Sequence, residues 1–464
     1  MQRKLSLKNK IFYGIGDLGN SLTTASIQFF LLFYYTDIAL IDPAVAGTAL
    51  LVGKLTWDAI NDPLFGYWSD RTKSRFGRRR IYLLLGAVPF GISFWLMYSL
   101  PTGLKGIAAF MMVLGSFLLF DTFATLVGTP YNALSAELTY DYKERTSLIA
   151  VREIFTVVGY ILGAAVTTVV AGIFINNLGW SERAGYSGMG AVFGMIAALT
   201  ILMTAFGIKD KTHREAKPST LPPVKAILSS FKNKPFVKLL IISTIISISF
   251  TLLTSLLPYF LTYQLDMADQ IPLVMLTMLG AIAIFLLPWK AVADKINKGP
   301  AYALGLFIAS LAVTATFFFP YGPTPLIYVV AFVAGLGFSA QYVFPWSMIP
   351  DVVEYDQLVT GERREGIYYG IWAFMGKLTG ALGIAAAGWA LDLFGYIPNI
   401  VQTEQARLGI RLFFGPVSVV MFLMAIPFLI WYPITRKSHA AVVAQIPGGG
   451  GAELEESEAN VNPE

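Results

Sequence analysis

Asp58 and Asp62 lie four residues apart in Trp57-Asp58-Ala59-Ile60-Asn61-Asp62-Pro63, near the middle of an apolar run from Ala44 to Trp68. The run is about as long as a helix needs to cross a bilayer. At helical pitch the two carboxylates sit one turn apart, roughly 6 Å along the axis, and on one face. Lys54 extends that stripe by one more turn. An ionised Asp near mid-membrane costs about 2.5–3.5 kcal/mol on insertion scales, so each needs a partner. One lysine against two carboxylates leaves a negative charge over. A cation held by Asp58 and Asp62 satisfies it, because carboxylate oxygens suit hard cations. A proton on one of the pair serves as well, and an internal Lys54–Asp58 salt bridge is the purely structural alternative.

Few other charges fall in apolar segments: Asp17, Asp37, Asp121, Arg152, Glu153 and Lys377. Lys377, between Gly376 and Leu378, is too deep in its span to reach an interface easily and is expected to pair with Asp58 or Asp62. Arg152 either binds substrate or neutralises Glu153. Asp37, near the outer end of the first span, reads as a solvated cap, and Asp17 as facing a cavity. Asp121 has no evident partner. Asp70, Arg71 and the basic cluster reaching through Arg78 to Arg80 read as a gating charge clamp, a role compatible with simple topology control. Tyr131, Tyr342, Trp346 and Trp372 are candidate ligand contacts.

The elements that must position these groups are membrane helices. Of 464 residues, 55% are hydrophobic and only 14% charged, against about 25% charged in soluble domains. Cysteine is absent and the two histidines, His213 and His439, lie in polar segments; thiolate and histidine chemistry is excluded, and no enzyme is expected. The net charge of +5 collects in loops and does not indicate nucleic acid. Hydropathy places about twelve spans, with span one at 11–40, span two at 44–69, span ten at 325–350 and span eleven at 366–394. The first is too long for a cleavable signal peptide. Basic residues gather at the N-terminus and in the 2–3 and 6–7 loops, whereas the opposite loops carry only Lys105, Arg183, Arg407 and Arg411. Both termini are therefore expected in the cytoplasm. Pro130-Tyr131 followed by Tyr140-Asp141 recurs as Pro345-Trp346 followed by Tyr355-Asp356. This repeat predicts two parallel halves: a six-helix bundle over 1–207, a cytoplasmic linker over 208–236, a second bundle over 237–435 and a disordered tail over 436–464.

The motifs together resemble the glycoside-pentoside-hexuronide:cation symporters, the melibiose-permease branch of the major facilitator superfamily, over residues 8–435. They are Gly14-Ile15-Gly16-Asp17-Leu18-Gly19-Asn20, Tyr35-Thr36-Asp37, the Trp57–Pro63 segment, Asp70–Arg78, Pro130–Leu134, Glu144-Arg145-Thr146 and Gly376-Lys377. The resemblance implies an all-α major facilitator fold of twelve transmembrane helices and alternating-access symport of a sugar or related solute with Na+, Li+ or H+. No resident cofactor is implied; the protein is expected as a monomer in the plasma (inner) membrane. Asp58 and Asp62 match the paired cation carboxylates and Thr125 lies near a cation-pocket threonine. Asn20, Ser21, Asn132, Arg152, Tyr342, Trp372 and Lys377 form the implied substrate set. Ser21 and Gly128 replace two acidic sugar anchors, while Asn132 and Tyr342 replace two tryptophans. Cation coupling is thus expected to carry over and galactoside recognition is not. Sodium-dependent lysophospholipid symporters share the span-two segment and the span-eleven lysine, so lipid cargo is the alternative.

Overall fold

The computed structural model describes residues 5–72, 74–138, 142–208, 228–361 and 364–445. Among them, ten helices are long and apolar enough to cross a membrane uninterrupted. Two further crossings are continuous helices broken by wider π turns. The first, α1, runs Leu7–Ser26 and on through π turns at Ile27–Leu31 and Tyr34–Ile38. The second, α2, joins Pro43–Gly53 to Ala59–Arg71 through a π turn at Lys54–Asp58. It starts where the Asp42 side chain accepts from the backbone of Ala44 and Val45 at 2.9 and 3.1 Å, with Pro43 leading the helix, a strong start signal.

The chain continues as α3 (Arg80–Met97), α4 (Gly106–Leu138), α5 (Tyr142–Ala165, extended by Thr167–Gly172) and α6 (Glu182–Gly207). The second half comprises α7 (Lys234–Tyr259), α8 (Ile271–Phe285, extended by Pro288–Ile296), α9 (Lys298–Phe317), α10 (Leu326–Thr360), α11 (Glu365–Leu393) and α12 (Glu404–Leu412 continued by Ser418–Ile430). Within the first half α1 packs on α5 and α6, and α3 on α4 and α6; within the second α10 packs on α8 and α9, and α7 on α11 and α12. The halves meet where α2 lies against α11, α1 against α7 and α5 against α8. An even number of crossings puts both described ends on one side, called here the terminal side; the other is the far side.

With lipid as solvent, helices associate by close packing of small residues rather than by hydrophobic exclusion. A Cβ at Gly159 or Gly163 of α5 would fall on the backbone carbonyl of Leu18 or Leu22 of α1. These glycines let the two backbones touch, and α1 carries Asp17 and Asn20 at that crossing.

Two expectations are corrected. Span ten does not stop at 350: α10 runs to Thr360 because its buried acidic residues are paired, Asp351 with Lys298 at 2.6 Å and Asp356 with Arg364 at 2.7 Å. The tail is not disordered from 436, since Arg436–Gln445 forms a helix, α13, whose His439 meets Glu354 of α10 at 2.6 Å. Residues 446–464 and most of the linker lie outside the described residues, as do Tyr140 and Asp141 of the repeated motif.

Gly163→Leu is expected to lower the melting temperature of the purified protein, by overpacking worth about 1–3 kcal/mol. Gly280→Leu, where a Cβ meets open space, is the control. Equal melting of both variants would contradict the close α1–α5 approach.

Candidate functional site

The π turn at Lys54–Asp58 decides how the charges of α2 are shared. An α-helical stripe would align Lys54, Asp58 and Asp62. The wider turn inserts an extra residue and rotates Lys54 away from the two aspartates. Its ammonium lies 2.5 Å from Asp121 of α4 and 3.4 Å from Asp58. Lys377 of α11 takes the vacated face, at 2.9 Å from Asp58 and 2.6 Å from Asp62. The internal Lys54–Asp58 pair is therefore the longest of four contacts, and the lysine of α11 spans both carboxylates as the sequence suggested.

Asp121 is the residue that sequence reasoning undervalued. It is buried, pairs with Lys54, and accepts a bond of 3.0 Å from the Asn61 side chain, which also donates to the Asp121 backbone carbonyl at 3.1 Å. Trp57 fastens the same turn to α4 through Thr122 at 2.8 Å. The available signal was an acid at the middle of a 33-residue apolar helix, which at such depth demands a cation. Thr125 is buried one turn along α4 from Asp121. Counted in ionised form, three carboxylates face two ammonium groups and the cluster keeps one negative charge. The Lys377 ammonium lies within bonding reach of oxygens from both Asp58 and Asp62. Asp58 is buried, whereas Asp62 and Lys377 are half-buried, which leaves a route in.

A second polar cluster lies on α1, α4 and α5. Arg152 Nε is 3.5 Å from Asp17, its Nη2 donates to Glu153 at 2.7 Å, and its Nη1 donates to Asn132 at 3.4 Å. Asp17 also accepts from Thr156 at 2.6 Å and from Asn20 at 3.4 Å. Arg152 thus does more than neutralise Glu153: it is the centre of a network holding three residues of the expected site. Asn20 and Asn132 border one pocket with Gly16, Gly128 and Tyr131. Ser21 is buried, and a Cβ at Gly128 would meet open space.

Across the cavity, Trp372 and Gly376 of α11 border a cleft with Ser243, Thr244 and Ser247 of α7, and Trp346 lies edge-on to Trp372 at 6.5 Å. Tyr342 rests edge-on against Tyr160 of α5 at 6.4 Å, bridging the halves at the cavity roof. Of the clamp residues, Arg71 stacks on Tyr67 of its own helix at 3.5 Å. Arg78 is half-buried in the loop, and the Asp70 side chain lies outside the described residues. Asp37 is not the solvated cap expected: it is 2% exposed and bonded to residues of the other half.

The chain matches the family model described as MFS/sugar transport protein over residues 12–436. It is 30% identical to the uncharacterized symporter sll1374 of Synechocystis, with 96% of this chain and 97% of the relative covered. It is 27% identical to the glucuronide carrier protein homolog of Escherichia coli, with 96% of each chain covered. Its fold resembles the crystal structure of a bacterial homologue of the human lysosomal transporter Spinster, with a TM-score of 0.67 at 14% identity over 95% of this chain and 97% of that one. Helices long and apolar enough to cross a membrane, ten of them uncut among the described residues, and a family match along nearly the whole chain agree: this protein is a transporter, not an enzyme, and belongs to the MFS/sugar transport protein family.

Proposed function

We propose that the protein couples entry of one monovalent cation, Na+, Li+ or H+, to uptake of a small sugar-like solute, with an acidic sugar as the favoured class. The observation that carries this reading is the Lys377 ammonium seated between Asp58 and Asp62. An incoming cation and the lysine compete for the same oxygens, since like charges repel strongly in a low-dielectric interior. When the ion binds, it replaces the Lys377 ammonium at these oxygens and Lys377 is freed toward the cavity; counting the freed lysine, the site as a whole becomes neutral. Lys377 and Arg152 then present two positive groups to a solute, which favours a carboxylate-bearing sugar. The similarity to a glucuronide carrier homologue supports that class. Neutralising the cluster also lowers the cost of occluding it, and this links ion and solute fluxes.

The hydrogen bonds joining the halves gather at mid-depth and on the far side, while Asn20, Asn132 and Trp346 stay exposed between them. Positive loops on the terminal side argue that this side is cytoplasmic, so the conformation is open inward. The site is complete within one chain, which suits a monomer in the plasma (inner) membrane.

Asp58→Asn and Asp62→Asn are each expected to reduce ion-driven accumulation by about tenfold or more while leaving expression intact. Normal uptake driven by sodium, lithium and protons in both variants would remove the cation site. Lys377→Ala should abolish accumulation, in contrast to Lys105→Ala in an outer loop, yet bind the coupling ion at least as tightly as the parent in a thermal-shift titration. Weakened ion binding there would contradict competition between lysine and ion.

Substrate class is tested by ion-dependent binding of melibiose, a hexuronide, a pentoside and a lysophospholipid side by side. Ser21 and Gly128 each withhold a charge-assisted hydrogen bond worth about 1.5–3 kcal/mol, which predicts melibiose binding roughly two to four orders of magnitude weaker than a site with both acids. The hexuronide should bind best, and Arg152→Ala should reduce its binding selectively. Tight melibiose binding, or a preference for the lysophospholipid, would overturn the assignment.

A further inference from the structure

On the far side the two halves are joined by a buried carboxylate that the charge cluster does not involve. Asp37 ends α1 within the π turn Tyr34–Ile38. Tyr34 and Tyr35 of that turn pack into their own half, Tyr34 against Tyr98 and Tyr186 at 5.1 and 5.7 Å. Thr36 and Asp37 point instead into the other half. Tyr263, from the far-side end of α7, donates to Asp37 Oδ1, and Tyr396, from the turn after α11, donates to the same oxygen at 2.6 Å. Thr36 donates to Oδ2 at 2.5 Å and in turn meets the Tyr259 hydroxyl at 2.6 Å. The Asn399 side chain donates to the Asp37 backbone carbonyl at 2.7 Å, and its backbone N–H donates to Tyr263 at 3.1 Å. Asn399 holds this position with φ of 60°, a left-handed conformation that Asn tolerates better than most residues.

Tyr259, Tyr263 and Tyr396 also stack edge-on, with ring centres 5.3–5.4 Å apart. Thus two tyrosines from separate segments of one half converge on a single carboxylate of the other, and a third, Tyr259, reaches it through Thr36. Hydroxyl-to-carboxylate bonds are short and about twice as strong as neutral ones. Among the described residues no lysine or arginine pairs with Asp37, so the carboxylate depends on these hydroxyls for its solvation. That dependence makes the contact all-or-none: separating the halves removes the Tyr263 and Tyr396 bonds together and returns Asp37 to water. Close backbone contact extends the closure, since a Cβ at Gly388 of α11 would fall on the Pro43 carbonyl of α2.

We infer that Asp37 is the keystone of the far-side gate, holding the closed state by collecting hydroxyl donors from the opposite half and releasing them when the gate opens. This goes beyond the coupling site and needs only that the two halves part on the far side; it is independent of which solute or ion is carried.

The chain has no cysteine, so one introduced thiol reports access cleanly. Thr24 is exposed, one turn from Gln28 on α1, and Gln28 bonds Thr254 of α7 at 3.2 Å. Thr24 therefore lies between the halves, just on the terminal side of the gate. Thr24→Cys is labelled with a membrane-impermeant maleimide applied to oriented vesicles from each face, without solute. Adding Asp37→Asn is expected to raise far-side labelling by about tenfold or more and to lower terminal-side labelling, as a population shift requires. Tyr263→Phe combined with Tyr396→Phe keeps the carboxylate, removes its donors and should act in the same direction. This pair carries the test if Asp37→Asn does not reach the membrane. Unchanged far-side rates overturn the assignment. A rise from both faces also overturns it, because that marks general loosening rather than a gate. Loss of uptake with normal gating would implicate the coupling site alone, which keeps the two hypotheses separable.

Discussion

The low dielectric of the bilayer interior is the constraint from which the rest follows, because it forbids any charge from standing alone. Asp58, Asp62 and Asp121 can stay ionised only while Lys54 and Lys377 attend them, and Lys377 comes from the other half of the molecule. The cluster is thus a joint between the halves as well as the proposed ion site. Buried ion pairs of this kind contribute little net stability, yet removing one partner is costly because it strands the other. That asymmetry suits a carrier: the arrangement is weak enough to exchange partners and strict enough to demand a replacement cation when one leaves.

The irregular helices bear on the same point. Two of the π turns in α1 and α2 fall where a residue must reach across the interface or to a third helix: Tyr34–Ile38 turns Asp37 outward and Lys54–Asp58 separates Lys54 from the aspartates. A third, Ile27–Leu31, includes Gln28, which contacts α7. A regular helix keeps residues four apart, such as Lys54 and Asp58, on one face and cannot send them to different neighbours. An added residue per turn allows that, at some loss of helical regularity.

The two inter-half contacts differ in chemistry. At mid-depth the partners are full charges, which an ion can replace. On the far side a single carboxylate is solvated by tyrosine and threonine hydroxyls, which water can replace once the halves part. A charge-for-charge exchange responds to ion binding, and a carboxylate–hydroxyl contact responds to separation of the surfaces. Under the proposed coupling, the two together let ion occupancy act on a gate that carries no ion of its own.

Membrane character, the number of crossings and the need of Asp58, Asp62 and Lys377 for charged partners were legible in the sequence because each rests on one-dimensional information: apolar length, charge scarcity and helical spacing. The family resemblance, on motifs spread along the chain, was legible for the same reason. The partner of Lys54, the role of Asp121 and the burial of Asp37 were not. Each depends on which residues face one another across helices distant in sequence, and on π turns that spacing rules assume away. Arg152 shows the same division: its place in an apolar segment marked it as a candidate, but only folding showed that Asp17, Glu153 and Asn132 share it. Sequence determined which charges had to be compensated, since that cost is local to each span; tertiary structure decided which group compensates which, since that is set by helix packing and by the rotation of each helix face.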